Sequence, residues 1–523
     1  MRILSFKPGH DGAVALVEDG ELRFSYESEK DSFPRYGEVT PTAVAEAMAN
    51  TDGIPDVICI SGWAKGFHSM DRQLGAGYFG WSEEKTRTGK SRIFGREVTT
   101  FTSTHERSHL MSAFGMSPFA PDQPAYGLVW EGNIGSLYLY RPGGEVELLR
   151  SVMLDPGNKY QYVFALADPT TTDENGGFRY SNAGKMMALT AFSDALEDTP
   201  DQRKLIDSVL ARGKILKEAA KSDFLGSPFY NVGVESQEFK DLAWRHSERI
   251  FHSFLDSARE VFVEGYPLLV SGGCGLNCDW NAKWRDSGLF RDVFVPPVPN
   301  DSGSAIGTAI DAQRHLSGES KISWNVYSGQ DFVVDCPEES AEFEFVSDDP
   351  AVIARALADG AVLAWVQGKA EIGPRALGNR SLLASPQTPG IQERLNWIKG
   401  REGYRPVAPM CRLEDVSRYF EWSGPSPFML FFQRVREPEL IPGVTHVDAS
   451  ARVQTVTAEE NPRIHALLTA VDRASGVGVL CNTSLNFNGK GFINRLSDVR
   501  EYALARELDG YVHEGRYYRT RSN

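Results

Sequence analysis

The sequence predicts an α/β protein: a front part built on a duplicated β-meander with helices, then a second α/β domain. Three observations carry that reading. A strand–glycine turn–strand pattern occurs twice, two further strands end in glycine turns that open helices, and the composition is that of a packed globular chain. Of 523 residues, 41% are hydrophobic and 24% charged. Such a chain buries several cores and is not disordered throughout. The 55 basic and 70 acidic side chains leave a net charge of -15. That balance argues against a broad nucleic-acid surface, which needs clustered Lys and Arg. Six sparse cysteines without a disulfide framework point to a reducing cytoplasm. There is no apolar run of membrane-spanning length.

The first meander comprises strands at 3–6, 13–17 and 22–26, joined by Pro8-Gly9-His10-Asp11-Gly12 and Asp19-Gly20. The second comprises 126–130, 136–140 and 145–149, joined by Glu131-Gly132-Asn133-Ile134-Gly135 and Pro142-Gly143-Gly144. A duplicated unit of this kind fits the actin-like ATPase architecture, whose related halves present hairpin turns to phosphate. Helical patterns cover 107–114, 202–211 and 238–258. A buried strand then leads into Ser271-Gly272-Gly273-Cys274-Gly275-Leu276-Asn277, and a second into Asn300-Asp301-Ser302-Gly303. Both turns open helices and aim backbone N–H groups at anions. Residues 316–345 are rich in Ser, Gly and acidic residues and read as a connector. The expected domains are therefore 1–330 and 345–523. The second holds a helix at 351–358, a strand at 361–367 and the basic, glycine-rich stretch that starts at Gly368-Lys369.

His105-Glu106-Arg107-Ser108-His109 matches the metalloprotease pattern H-E-x-x-H. Histidines at i and i+4 share a helix face and can bind one metal. The protease reading is set aside, because the distal Glu131 sits in a hairpin turn and not on a helix. Asp301 is the best further ligand and Glu131 the next. Such a set suits iron(II), manganese or zinc. Cys274 and Cys278 have the wrong spacing for a zinc hook and read as packing. His10, in a turn, can serve as general base on a hydroxyl. Lys369, Arg375, Arg380, Lys399, Arg401 and Arg405 lie in glycine-rich segments, and Asn482-Thr483-Ser484-Leu485-Asn486 adds amides and hydroxyls. Together they read as an anion pocket. The 61–95 stretch holds Trp63, Phe67, Tyr78, Phe79 and Trp81, which either stack on an acceptor ring or pack.

In order and spacing, the motifs resemble the O-carbamoyltransferase family of NodU/CmcH type, which includes tobramycin carbamoyltransferase. The matching pieces are Gly9-His10-Asp11-Gly12, His105 with His109, Gly184-Lys185-Met186-Met187, Gly272–Asn277, Asp301–Ser304, Gly373-Pro374-Arg375-Ala376-Leu377-Gly378-Asn379-Arg380-Ser381, Lys399–Glu402, Arg405–Pro409 and Asn482–Asn486. The run from Phe6 to Ala13, with Glu27-Ser28-Glu29-Lys30-Asp31-Ser32, is most similar to the branch that carbamoylates the 3-hydroxymethyl group of cephem antibiotics.

The resemblance implies a TsaD-like, actin-type front domain and a YrdC-like rear domain. The rear domain would make carbamoyl adenylate from carbamoyl phosphate and ATP, with magnesium accompanying ATP. Lys369, Arg375 and Arg405 would hold phosphates, and Lys399, Arg401, Ser484 and Asn486 resemble nucleotide-binding signatures. The front domain would hold iron(II), or another divalent ion, through His105, His109 and Asp301. Gly272, Gly273 and Asn277 would line the nucleotide there. Glu131 stands where the family usually has Asp. The acceptor would be a small-molecule alcohol, with no nucleic acid or membrane involved and a homodimer left open. The rival readings are a tRNA threonylcarbamoylation enzyme, which the acidic balance disfavours, an actin-fold sugar kinase, which needs no rear cation cluster, and a nucleotide sensor without turnover.

Overall fold

The computed structural model describes residues 1–63, 75–173, 180–194 and 197–521; Phe67 lies outside them. The first sheet contains β1 (Arg2–Lys7), β2 (Ala13–Glu18), β3 (Glu21–Glu27), β4 (Val57–Ser61), β5 (Arg87–Ile93) and β6 (Arg96–Ser103), in the order β3-β2-β1-β4-β6-β5. The second contains β7 (Ala125–Trp130), β8 (Ile134–Arg141), β9 (Glu145–Leu154), β10 (Leu268–Ser271) and β11 (Val293–Phe294), in the order β11-β10-β7-β8-β9. Read from the outer meander strand, the two orders match. In each, an antiparallel meander is followed by a strand parallel to its first member: β4 beside β1, β10 beside β7. The sequence-level duplication is thus a topological one.

The chain forms two compact units, one of residues 1–118, 296–445 and 449–523, the other of 119–295 and 446–448. The first unit contains the first sheet and a large third one. The third sheet comprises β12 (Phe343–Ser347), β13 (Leu363–Val366), β14 (Arg380–Ala384), β15 (Ala408–Arg412), β18 (Gln454–Val456), β19 (Val479–Ser484), β20 (Gly510–His513) and β21 (Arg516–Thr520). Its order is β12-β21-β20-β13-β14-β19-β15-β18, and a small ribbon, β16 (Gln433–Arg434) with β17 (Ser450–Ala451), lies outside it. Apolar residues on both faces of this sheet are buried, among them Val366, Leu382, Val479 and Tyr511 in one cluster and Leu363, Leu383, Met410 and Leu480 in the other. Near-continuous apolar strands are what burial on both faces demands.

The expected connector is not a loose linker. Along 322–333 it is hydrogen-bonded on one side to β3, Leu22 N–H to the Ser323 carbonyl at 2.9 Å and Ser25 N–H to Ser328 at 2.7 Å. On the other side Gly329 N–H reaches the Ala370 carbonyl and Val333 N–H the Asn494 carbonyl, each at 2.9 Å. The segment after β3 is stitched in the same way, with Lys30 Nζ donating to the Gly373 carbonyl at 2.7 Å and Arg35 N–H to the Gly489 carbonyl at 3.1 Å. These bonds join residues 1–118, from the expected 1–330 domain, and residues of the expected 345–523 domain within one compact unit. Polar composition marks an exposed linker only when the backbone finds no partners.

In the second unit, a 25-residue amphipathic helix, Gln237–Val261, supplies Ile250, Phe251 and Phe254 to a core where the Trp130 and Trp280 rings stack 4.4 Å apart.

Candidate metal and anion sites

The helix that carries the two histidines, His105–Met116, starts at Thr104, whose hydroxyl accepts from Arg107 N–H at 3.1 Å. It packs against the helix Gly303–Ser317, where a Cβ on Gly307 would overlap the Ser108 carbonyl. Only glycine allows this approach, and it brings Asp301, just before that helix, to the two histidines. The Asp301 Oδ1 atom lies 3.5 Å from His105 Nε2 and 3.3 Å from His109 Nε2, and the two nitrogens are 3.2 Å apart. Ligands about 2.1 Å from one tetrahedral or octahedral ion stand roughly 3.0–3.4 Å from each other. The three atoms therefore have the mutual spacing of a shared coordination shell. All three residues are buried. Burial pushes the His105 imidazole down to about 3, against the pull of Asp301, so its nitrogen is unprotonated at neutral pH. Burial would raise the Asp301 carboxyl, but Lys7, His105 and His10 hold it well below the usual range. Neutral imidazoles beside a carboxylate fit a divalent cation.

Around this triad the hairpin turn supplies polar groups. His10 Nδ1 is 2.8 Å from Asp11 Oδ2, and His10 Nε2 is 3.6 Å from Asp301 Oδ2. Lys7, fully buried, sits 3.1 Å from Asp301 Oδ2, donates to the His10 carbonyl and lies over the Trp63 ring at 3.8 Å. Sequence reasoning missed Lys7. Its only signal was a lysine at the end of the strand Arg2–Lys7, beside Pro8-Gly9.

Some of the cations expected in the anion pocket are neighbours. Lys399 ends the helix Ile391–Lys399, and its ammonium donates to the carbonyls of Ser484 and Asn486 and to Asn486 Oδ1. The Ser484 hydroxyl donates to the same Asn486 oxygen at 2.6 Å. Burial, then the charges of Arg401, Arg35, Arg405 and Arg506, pushes the Lys399 ammonium well below its ordinary range. Burial with Arg405 and Arg452 brings Arg401 down to about 9. Arg405 is lowered too, by burial and by Arg452 and Arg35, against the pull of Glu402. The Nη2 atom of Arg401 and Nε of Arg452 are buried donors without an acceptor among the described residues. The expected Lys399, Arg401, Arg405, Ser484 and Asn486 therefore share one neighbourhood. Arg35, Arg452 and Arg506 join them from distant segments, and no local spacing announced them.

Other expected residues have different surroundings. Arg380 is fully buried, and its guanidinium donates to Asn494 Oδ1 at 2.9 and 2.7 Å and to the carbonyls of Gln367, Asn379 and Gly368 at 2.7, 2.8 and 2.9 Å. With its donors all engaged by protein, it fastens β14 and leaves none for a nucleotide. Glu371 holds the glycine-rich loop from inside, its Oε1 accepting from Leu377 N–H and Asn379 N–H at 2.7 Å each. Arg375, in that loop, is half-buried. Lys369 lines a groove with Glu21, Arg23 and Tyr327. Asn482 donates to the Ala376 carbonyl at 3.0 Å and to Gln454 at 2.7 Å.

In the second unit, Gly272 has φ +94°, and a Cβ there would strike the Trp130 carbonyl; Gly273 faces open space. Asn277 caps the helix Cys278–Asp286, accepting from Asp279 N–H and Trp280 N–H at 3.2 Å. Glu131 is buried and accepts from Asn133 N–H at 3.1 Å. Burial, then the Glu131 charge, pushes the Cys274 thiol up, which makes it an unreactive packing group. All six cysteines are free. No helix among the described residues is long and apolar enough to cross a membrane.

Residues 83–310 match the family described as Carbamoyltransferase N-terminus and residues 354–519 the family described as Carbamoyltransferase C-terminus. A 3'-hydroxymethylcephem-O-carbamoyltransferase of Streptomyces clavuligerus is 49% identical over 519 residues, covering 99% of both chains. Its counterpart from Amycolatopsis lactamdurans is 47% identical over 512 residues, covering 98% of both. Nodulation protein U of Sinorhizobium fredii (strain NBRC 101917 / NGR234) is 33% identical over 559 residues, covering 98% of this chain and 99% of its own. Among solved structures, a ROK family glucokinase from Streptomyces griseus is 11% identical and covers 60% of this chain and 100% of its own, with a TM-score of 0.31. A score that low establishes no shared fold. The chain belongs to the carbamoyltransferase family, in its NodU/CmcH-type group, and is an enzyme that transfers a carbamoyl group.

Proposed function

We propose that the enzyme makes carbamoyl adenylate from carbamoyl phosphate and ATP, and passes the carbamoyl group to the 3-hydroxymethyl group of a cephem. The observation that carries the first half is the crowd of mutually repelling cations at Lys399, Arg401, Arg405 and Arg452. Such a cluster is costly unless an anion fills it, and two of its donors lack partners among the described residues. We read the β12–β21 domain as YrdC-like and the two meander sheets as actin-type on this basis and on the repeated strand order. Gly272, Gly273 and Asn277 we assign to a nucleotide edge in the second unit. Six free cysteines suit a cytoplasmic setting.

The steps balance as follows. Water converts carbamoyl phosphate to carbamate and phosphate. A carbamate oxygen then bonds to the α-phosphorus of magnesium-bound ATP and expels pyrophosphate. Lys399, Arg401 and Arg405 offset phosphate charge as these bonds break. In the second reaction the acceptor oxygen bonds to the carbamoyl carbon, the anhydride C–O bond breaks, AMP leaves, and the hydroxyl proton passes to His10. Asp11, 2.8 Å from His10 Nδ1, orients the ring so that Nε2 faces the Asp301 side. His105, His109 and Asp301 would hold iron(II) or another divalent ion, which would supply positive charge for the adenylate phosphate.

The test is incubation with ATP, carbamoyl phosphate and a 3-hydroxymethyl cephem. AMP, pyrophosphate and carbamoylated product are expected. ATP turnover without carbamoyl phosphate defeats the proposal in favour of a kinase. In the His10→Asn variant carbamoyl adenylate still forms, while transfer falls about 10²- to 10⁴-fold.

A further inference from the structure

Two residues inside the H-E-x-x-H pattern lie outside the His105–His109–Asp301 group. Glu106 and Arg107 instead hold the chain at 75–81. This stretch has three glycines with positive φ, Gly75 at 58°, Gly77 at 95° and Gly80 at 119°, so it turns too sharply for ordinary residues. It lies on the first turn of the helix that carries the two histidines. The helix amides of His105 and Glu106, which have no partner within the helix, donate to the carbonyls of Gly77 and Tyr78 at 3.1 and 3.0 Å. The Glu106 carboxylate accepts from Gly80 N–H at 2.6 Å. The Thr104 hydroxyl donates to the Gly80 carbonyl, and Arg107 Nη1 to the Trp81 carbonyl at 2.6 Å. Arg107 is itself anchored on Asp311 through bonds of 2.6 and 2.8 Å.

The clamp fixes an aromatic series. The Tyr78 ring lies 4.4 Å from the His105 ring, and Trp63 lies 5.2 Å from His105 and 5.7 Å from Tyr78. The Phe79 ring follows 4.9 Å from Tyr78, yet it is 47% exposed, whereas Tyr78 is 7% exposed. Phe79 is thus a half-exposed ring two ring-steps from His105, on a stretch held by a glycine turn.

We propose that residues 75–81 form the acceptor-facing wall of the transfer site, with Phe79 the specificity-determining contact for a ring-bearing alcohol and Glu106 the positioning residue that holds the wall. This rests on the reading that an alcohol is carbamoylated at the His105–His109–Asp301 site. The apolar face of a fused-ring acceptor stacks on Phe79 and leaves its hydroxymethyl arm toward His10.

Steady-state kinetics with 3-hydroxymethyl cephem, at saturating ATP and carbamoyl phosphate, tests the wall. Phe79→Ala raises KM for the alcohol about five- to twentyfold, the scale of a lost aromatic contact, with kcat within about twofold. Phe79→Tyr restores KM. Glu106→Ala raises the same KM and still binds one equivalent of zinc(II), measured by titration, because both histidines and Asp301 remain. If wild type carbamoylates the cephem but Phe79→Ala leaves KM unmoved, the wall assignment alone is overturned. Loss of zinc binding in Glu106→Ala overturns the clamp, since Glu106 would then support the ion itself. Failure of wild type to carbamoylate the cephem overturns the reading beneath both.

Discussion

The metal triad and the cation pocket are assembled on opposite electrostatic plans. At the triad, charges are matched before any ligand arrives: the buried Lys7 ammonium, first among its neighbours, holds Asp301 ionised, and burial keeps the imidazole of His105 neutral. In the pocket, burial and the charges of Arg401, Arg35 and Arg405 depress Lys399, and burial with the charge of Arg452 depresses Arg401 and Arg405, against the pull of the Glu402 carboxylate on both. The first site is ready for a small ion whose ligands already stand in place. The second is strained by repulsion, which a bound anion would relieve. Within the rear domain, Arg380 and Arg401 make the same point on a smaller scale. One guanidinium is fully engaged by carbonyls and the other keeps a buried donor open.

The largest effect expected from breaking this contrast is at the triad. Asp301→Asn removes the carboxylate charge that pairs with Lys7. It should abolish zinc(II) binding in a titration and lower carbamoyl transfer by a hundredfold or more, on the order of the loss of an electrostatic anchor. Next comes the arginine pair. Arg380→Gln leaves several buried carbonyls and Asn494 unpaired, so the domain should lose about 3–5 kcal/mol and its melting temperature should drop sharply. Arg401→Gln relieves repulsion, so thermal stability of the ligand-free protein should hold or rise, while pyrophosphate release falls about 10²-fold. A stable Arg380→Gln protein with weakened ATP use would reverse the two assignments.

The pH dependence is smaller and separates the sites by direction. His105 is down to about 3 from an ordinary 6.5, so the unfolded chain binds the extra proton between those values. Stability of the metal-free protein should be complete above 6.5 and fall as pH drops toward 3. Lys399 is also lowered, from 10.5. The unfolded chain therefore holds more protons on the alkaline side too, and ligand-free stability should rise as pH climbs toward 10.5. Bound anions should flatten that alkaline rise, which calorimetry at two carbamoyl phosphate concentrations would reveal. The smallest effect is expected for Lys369→Ala. Its side chain lies along the groove of Glu21, Arg23 and Tyr327, so pyrophosphate release should change less than about threefold; a larger loss would extend the pocket to that groove.

Both kinds of site were partly legible in advance, for a local reason. His105 and His109 are one helical turn apart, and turn geometry puts them on one face whatever the rest of the chain does. Lys399, Arg401 and Arg405 are close in sequence at a helix end, so they were bound to be neighbours. The meander repeat was legible because strand and turn signals are local, and strand order then followed it. The connector was misjudged because composition says nothing about which carbonyls a backbone will meet.

Residue types and short spacings thus determined the duplicated meanders, the histidine pair and the basic cluster at the end of the helix Ile391–Lys399. Tertiary structure alone decided the rest. It brought Asp301 to the histidines across a glycine contact at Gly307, delivered Arg35, Arg452 and Arg506 to the pocket, buried Lys7 beside Asp301, and turned Arg380 from a candidate ligand into a structural bolt. A cation's role depends on whether carbonyls, carboxylates or other cations surround it. Those neighbours come from segments hundreds of residues away, beyond the reach of any local pattern.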